Sequence, residues 1–173
     1  NRVQEAGAKI PMCPGRLTWH LVGHLQGNKA RPAARLFDMI HSIDSLKLLE
    51  AMERACQEEG KQMPVCIEVN VSGESSKFGL PPESVPELLS ASDRLHNVQI
   101  AGLMTMPPLT EDPEKARPHF RRLRELRDAW RAETGLPLDE LSMGMSHDFE
   151  VAIEEGATLI RVGTALFGER GAA

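Results

Sequence analysis

The sequence predicts an α/β protein built as a (β/α)8 TIM barrel, and three observations support that prediction. Short apolar runs alternate with amphipathic segments along the chain, giving six strands with helices between them. That order implies parallel strands joined by crossover connections. Several strands also carry polar groups on one face, namely His20, His41, Glu68, Asn70 and Arg161. An open doubly wound sheet is covered by helices on both faces, so its central strands should be apolar throughout. A barrel whose interior holds a ligand near the C-terminal rim accommodates the alternation. Six units fall short of eight, and the sequence opens abruptly at Asn1. The expectation is therefore one barrel domain over residues 1–173 that lacks its first one or two βα units in this chain.

Residues 1–16 read as a loop or weak helix, because Pro11 and Pro14 interrupt regular structure. Residues 17–23 are the first strand, and a short helix follows over 28–37 with Asn28 as its cap and Pro32 in the tolerated first turns. Residues 39–43 are a strand. The helix over 45–59 sets Leu46, Leu49, Met52 and Cys56 on one face, with Asp44 or Ser45 as cap and Gly60 as stop. The clearest strand is 64–71, where Val65, Ile67, Val69 and Val71 alternate with Cys66, Glu68 and Asn70. A helix over 82–95 buries Val85, Leu88, Leu89 and Leu95, and 98–104 is the next strand. A long helix ending near Thr134 turns Phe120, Leu123, Leu126 and Trp130 inward. Its Arg121, Arg124, Arg127 and Arg131 read as a solvated face interspersed with Glu125, Asp128 and Glu133. The chain then gives a strand over 139–143, a helix over 146–155 closed by Gly156, and a strand over 158–162.

Composition narrows the function. Apolar content of 41% and charged content of 26% are ordinary for a globular chain, and a formal charge of −5 offers no footprint for nucleic acid. No apolar run is long enough to span a membrane and residues 1–11 do not form a signal peptide, so a cytoplasmic protein is expected. Cys13, Cys56 and Cys66 lack metal-type spacing and read as reduced thiols.

The candidate chemistry gathers at the C-terminal end. Ser146 at a helix start, with Gly163 and Thr164 just past the last strand, offers backbone N–H groups and hydroxyls to a phosphate. Barrels repeatedly build phosphate sites from their last two βα loops. Ser146 is also explained by plain capping. Arg161 points to the interior, either as an ion pair with Glu68 or as a donor to a ligand's ring nitrogen or anionic group. His20, His24 and His41 are too dispersed for a metal set and read as satisfied interior residues. Lys77 lies on the loop after the clearest strand, either solvated and paired with Glu74 or facing the site. Met104 and Met106 are packing residues unless one lies against a flat ligand.

Six ordered motifs carry a resemblance: WHLVGHLQGNKAR (19–31), HSIDSLKL (41–48), VNVSGESSKFG (69–79), GLMTM (102–106), LSMGMSHDFEVAI (141–153) and IRVGTALFGER (160–170). Together they resemble the pyridoxal 5′-phosphate homeostasis protein family, whose fold is that of the alanine racemase N-terminal domain. The resemblance implies a non-catalytic protein that binds pyridoxal 5′-phosphate (PLP) through a lysine inside a single-domain barrel and supports vitamin B6 balance. PLP-dependent apoenzymes would be recipients, and the protein would act as a monomer. It also implies that Ser146, Gly163 and Thr164 hold the phosphate, that Arg161 faces the pyridine nitrogen, that Asn1 lies close to the cofactor, and that Lys77 is a second lysine near the site. An arginine there makes the ring a weaker electron sink than a carboxylate would. The family's lysine-bearing segment of the first strand has no counterpart here, since Lys9, Lys29, Lys47, Lys61 and Lys115 lie in other contexts; the expectation is that it precedes Asn1. The rival reading is a PLP-dependent amino-acid racemase. That enzyme would need an acid–base group on the other face of the cofactor, commonly a tyrosine, and this chain has none.

Overall fold

The computed structural model describes residues 1–168. The end of the last motif, Glu169 and Arg170, lies outside them. Six parallel strands pair in chain order: β1 (His20–Leu21), β2 (Met39–Ile43), β3 (Met63–Glu68), β4 (Val98–Met104), β5 (Glu140–Met145) and β6 (Leu159–Arg161). The helices are α1 (Val3–Lys9), α2 (Ala30–Leu36), α3 (Leu46–Glu59), α4 (Val85–Ser90), α5 (Arg117–Thr134), α6 (Phe149–Glu154) and the single turn α7 (Thr164–Phe167).

The helix signals in the sequence act where the chemistry is local. Ser45 Oγ accepts the Leu48 N–H at 3.2 Å and starts α3, and Gly60 ends it in the left-handed region at φ 60°. Phe120, Leu123, Leu126 and Trp130 of α5 are all buried. They join Val65, Ile67, Ile100, Leu103, Leu141 and Met143 from the strands in one core between helices and sheet.

Other boundaries move for physical reasons. The strand expected over 17–23 is limited to the two residues of β1, which pair with Met39 and Ile40 of β2. Asn28 does not cap α2; it sits inside a one-turn 3₁₀ segment, Gly27–Lys29, and α2 begins at Ala30. The helix expected over 82–95 is α4 flanked by 3₁₀ turns at Pro82–Ser84 and Ser92–Arg94. Pro86 has no N–H to give to a carbonyl one turn back, so a continuous helix cannot run through it. The arginine row of α5 is not simply solvated. Arg117, Arg121 and Arg124 converge on the buried Glu155 carboxylate at 3.2, 3.0 and 3.3 Å, and so lock the end of α6 to α5. Arg131 pairs with Asp139 at 3.1 Å.

The sheet is strongly curved, and side-chain distances prove it. His41 of β2 and Ser142 of β5 are in hydrogen-bond contact at 2.7 Å although β3 and β4 lie between those strands. In a flat sheet strands three places apart would be about 14 Å apart. The sheet therefore curls into a trough, with helices on the convex side. The concave side holds a small apolar cluster of Met39, Cys66 and Met104 together with the polar residues that alternation had placed on the second face.

Candidate functional site

The concave side carries a continuous polar line. His20 Nδ1 meets His41 Nε2 at 3.0 Å, His41 Nδ1 meets Ser142 Oγ at 2.7 Å, and Arg161 Nη1 donates to Ser142 Oγ at 2.7 Å. Arg161 Nη2 donates to the Thr105 carbonyl at 2.9 Å. Alternation along β1, β2, β5 and β6 puts these side chains on one face, and curvature closes the gaps between them. Burial, reinforced by His20 and Arg161, holds His41 down at about 3, so its imidazole is neutral at pH 7. Burial also depresses Arg161, with Asp148 and Glu68 opposing.

Among the described residues, two buried side-chain polar atoms lack a partner: Arg161 Nε and Glu68 Oε2. The ion pair between Arg161 and Glu68, one of the two sequence readings, is not formed; Arg161 spends its terminal nitrogens on Ser142 and Thr105 instead. Glu68 is raised to about 7 by burial, with Asp44 adding to the rise and Arg161 opposing it.

Ser146 does not cap the following helix. Asp148 Oδ1 takes the Met145 N–H at 2.6 Å, the turn this makes delays α6 to Phe149, and Asp148 is the residue before the helix. Ser146 Oγ instead reaches across to the next loop, accepting the Gly163 N–H at 3.0 Å and the Ala165 N–H at 3.3 Å. Both hydroxyl lone pairs are then engaged, and one of the backbone N–H groups expected to face a phosphate, that of Gly163, is given to Ser146 instead. Gly144, two residues earlier, packs closely against α6. It sits at φ +91°, and a Cβ there would lie 2.6 Å from Ala152 Cβ.

Three adjoining cavities open along the trough. One of about 650 Å³ is lined by Asn1, Gly23, Met106, Met145, Arg161 and Gly163 among others. A second of about 590 Å³ shares Met145, Arg161 and Gly163 and adds Ser146 and Thr164. A third of about 370 Å³ shares Met106 and Met145 and is lined by Glu68 and Lys77. Five of the seven expected site residues, Asn1, Ser146, Arg161, Gly163 and Thr164, thus line two adjoining cavities, with Lys77 on the neighbouring one. Lys77 forms no ion pair with Glu74; its backbone N–H donates to the Glu74 carbonyl at 3.1 Å. Met104 is fully buried with Met39 and Cys66 and lines none of these cavities; Met106 and Met145 do. The site residues that sequence reasoning missed are Ser142, His41 and Thr105. His41 was legible only as a satisfied interior residue, and a lone serine in a strand carries no signal of its own. Among the described residues no group of three or more His, Cys, Asp or Glu could hold a metal, and no helix is long and apolar enough to cross a membrane.

The sequence profile of the alanine racemase N-terminal domain family matches residues 2–171. A pyridoxal phosphate homeostasis protein of Aquifex aeolicus is 48% identical over 171 residues, which is 98% of this chain and 75% of that relative. The chain belongs to the pyridoxal phosphate homeostasis protein family. Among solved structures, PipY of Synechococcus elongatus PCC7942 without PLP superposes at a TM-score of 0.91 and 43% identity, over 97% of this chain and 80% of that one. The same protein with PLP bound gives 0.86 at 42% identity, over 97% and 79%. Alanine racemase of Clostridium difficile 630 shares the fold alone, with a TM-score of 0.78 at 14% identity over 99% of this chain and 46% of that one.

Proposed function

We propose that this chain binds PLP in the two adjoining cavities lined by Arg161 and Gly163 and serves intracellular PLP homeostasis and supply without catalytic turnover. The observation that carries the reading is Arg161 Nε, a buried donor left without a partner while the rest of the guanidinium is fixed. An arginine is donor-only, so this atom suits an acceptor such as an unprotonated pyridine nitrogen. The Ser146 hydroxyl proton and Thr164 would hold the phosphate at the other end of the same space, with Gly163 lining it through a backbone whose N–H is given to Ser146 Oγ. Asn1 lies against Gly23 on the wall of the larger cavity, where it would flank the cofactor, and Met106 and Met145 would pack on its ring. Lys77 borders the path away from this position. PLP supplies an aldehyde that condenses with amines and a ring that withdraws electrons. With Arg161 at the ring nitrogen that withdrawal is weak, which suits storage and delivery better than amino-acid chemistry.

The same reading takes the six strands as part of an eight-stranded barrel forming one domain. It further takes the protein as a cytoplasmic monomer that passes PLP to apoenzymes.

The test uses the full-length protein. PLP should bind with a visible absorbance band, and Arg161→Ala and Ser146→Ala should each weaken retention about tenfold or more, the range for a lost hydrogen bond to a charged group, while helix content is unchanged. Unaltered PLP affinity in both variants sinks the assignment of the site, and amino-acid racemisation at ordinary enzyme rates sinks the non-catalytic role.

A further inference from the structure

We infer that Ser142 and His41 are positioning residues that hold Arg161 with its Nε free for the ligand, a role that rests on PLP binding at Arg161. The directions of the hydrogen bonds follow from chemistry already described. Arg161 can only donate, so Ser142 Oγ accepts from Nη1 at 2.7 Å. The arrangement that leaves no hydroxyl proton unpartnered has Ser142 donate to His41 Nδ1, also at 2.7 Å. His41 then carries its own proton on Nε2 and donates to His20 Nδ1 at 3.0 Å. Each bond sets the direction of the next. The line begins at an obligate cation and ends at His20 on β1.

The energetic case is that of a buried charge. A guanidinium taken out of water is tolerated when its donors are matched by acceptors. Two acceptors, Ser142 Oγ and the Thr105 carbonyl, engage Nη1 and Nη2 from β5 and from the residue just past β4. Those two contacts fix the plane of the guanidinium and leave Nε as its one nitrogen without a partner. Replacing Ser142 with alanine removes one contact and frees the plane to turn toward another acceptor. A threonine keeps the hydroxyl and suits a strand. His41 neutrality is part of the device, because an imidazolium could not accept the serine proton and would repel Arg161.

The experiment is read on full-length protein with PLP labelled with ¹⁵N at the ring nitrogen. In the wild type the ¹⁵N resonance should show a hydrogen-bonded, unprotonated ring. Ser142→Ala should move it toward the free pyridine position and raise the dissociation constant about tenfold, the size expected for a lost hydrogen bond to a charged group. Ser142→Thr should restore both. A Ser142→Ala protein that binds PLP with wild-type affinity and an unmoved ¹⁵N signal overturns the inference. A measurement on the unmodified protein guards against a variant that fails to fold: the His41 imidazole nitrogens at pH 7 should show the Nε2–H tautomer. An Nδ1–H tautomer or an imidazolium overturns the proposed direction of the line. Wild-type protein that takes up no PLP sinks the cofactor reading itself and leaves the tautomer result as a separate observation.

Discussion

Glu68→Gln should stabilise the protein at alkaline pH and leave it unchanged in mild acid. Glu68 is 2% exposed, one carboxyl oxygen has no partner, and burial with Asp44 nearby raises its pKa from 4.5 to about 7. The protonated form is therefore the one the fold prefers. The stability it contributes is complete below pH 4.5 and is lost as pH rises through 7. The displacement from 4.5 to about 7 corresponds to about 3 kcal/mol between the two ends of that window. Glutamine keeps the shape and the neutral state at every pH. In urea denaturation of PLP-free full-length protein, the variant and the wild type should share a midpoint near pH 4.5. At pH 8 the variant should unfold about 1.5 M later, for a denaturant slope of about 2 kcal/mol per molar. An equal midpoint difference at both pH values would refute the claim that Glu68 is buried with its charge uncompensated.

Three further outcomes are expected. Gly144→Ala should lower stability by about 2–4 kcal/mol, because it combines a left-handed φ with a collision against Ala152; chemical denaturation measures it. Glu155→Ala leaves Arg117, Arg121 and Arg124 without their shared carboxylate, and since the arginines are partly solvated the loss should be about 2 kcal/mol. Hydrogen exchange should rise first in α6. A thiol reagent should label exposed Cys13 in native protein and reach Cys56 and Cys66 only on unfolding, since both are buried and burial raises both thiols, Cys56 to about 11; peptide mass spectrometry reads the sites.

The chain exposed its strands and helices wherever one face was uniformly apolar. The α3 and α5 stripes and the alternation of Val65 and Ile67 with Cys66 and Glu68 are properties of the segment itself, and they survive folding unchanged. Ends and partners were less legible. Ser146 had the composition of a cap, yet Asp148 two residues on has the reach to close the turn, and the hydroxyl found its partners 17 and 19 positions away. The arginines of α5 carried acidic neighbours along the helix, which hid that their main partner, Glu155, comes from another element. Arg161 was correctly placed inside, because a strand forces alternate residues to opposite faces. Its choice of Ser142 over Glu68 depended on curvature, which periodicity does not encode.

That curvature ties ligand uptake to the order of folding. The contact between His41 and Ser142 closes a loop of 101 positions, and long closures of this kind form late. Until β5 and β6 have docked, Arg161 has neither of its acceptors and the cavity walls are unjoined. A chain that holds its cofactor has thereby joined β5 and β6 to the strands before them. Retention of a small molecule would then serve as an inspection mark on the protein, separating completed molecules from those halted part-way.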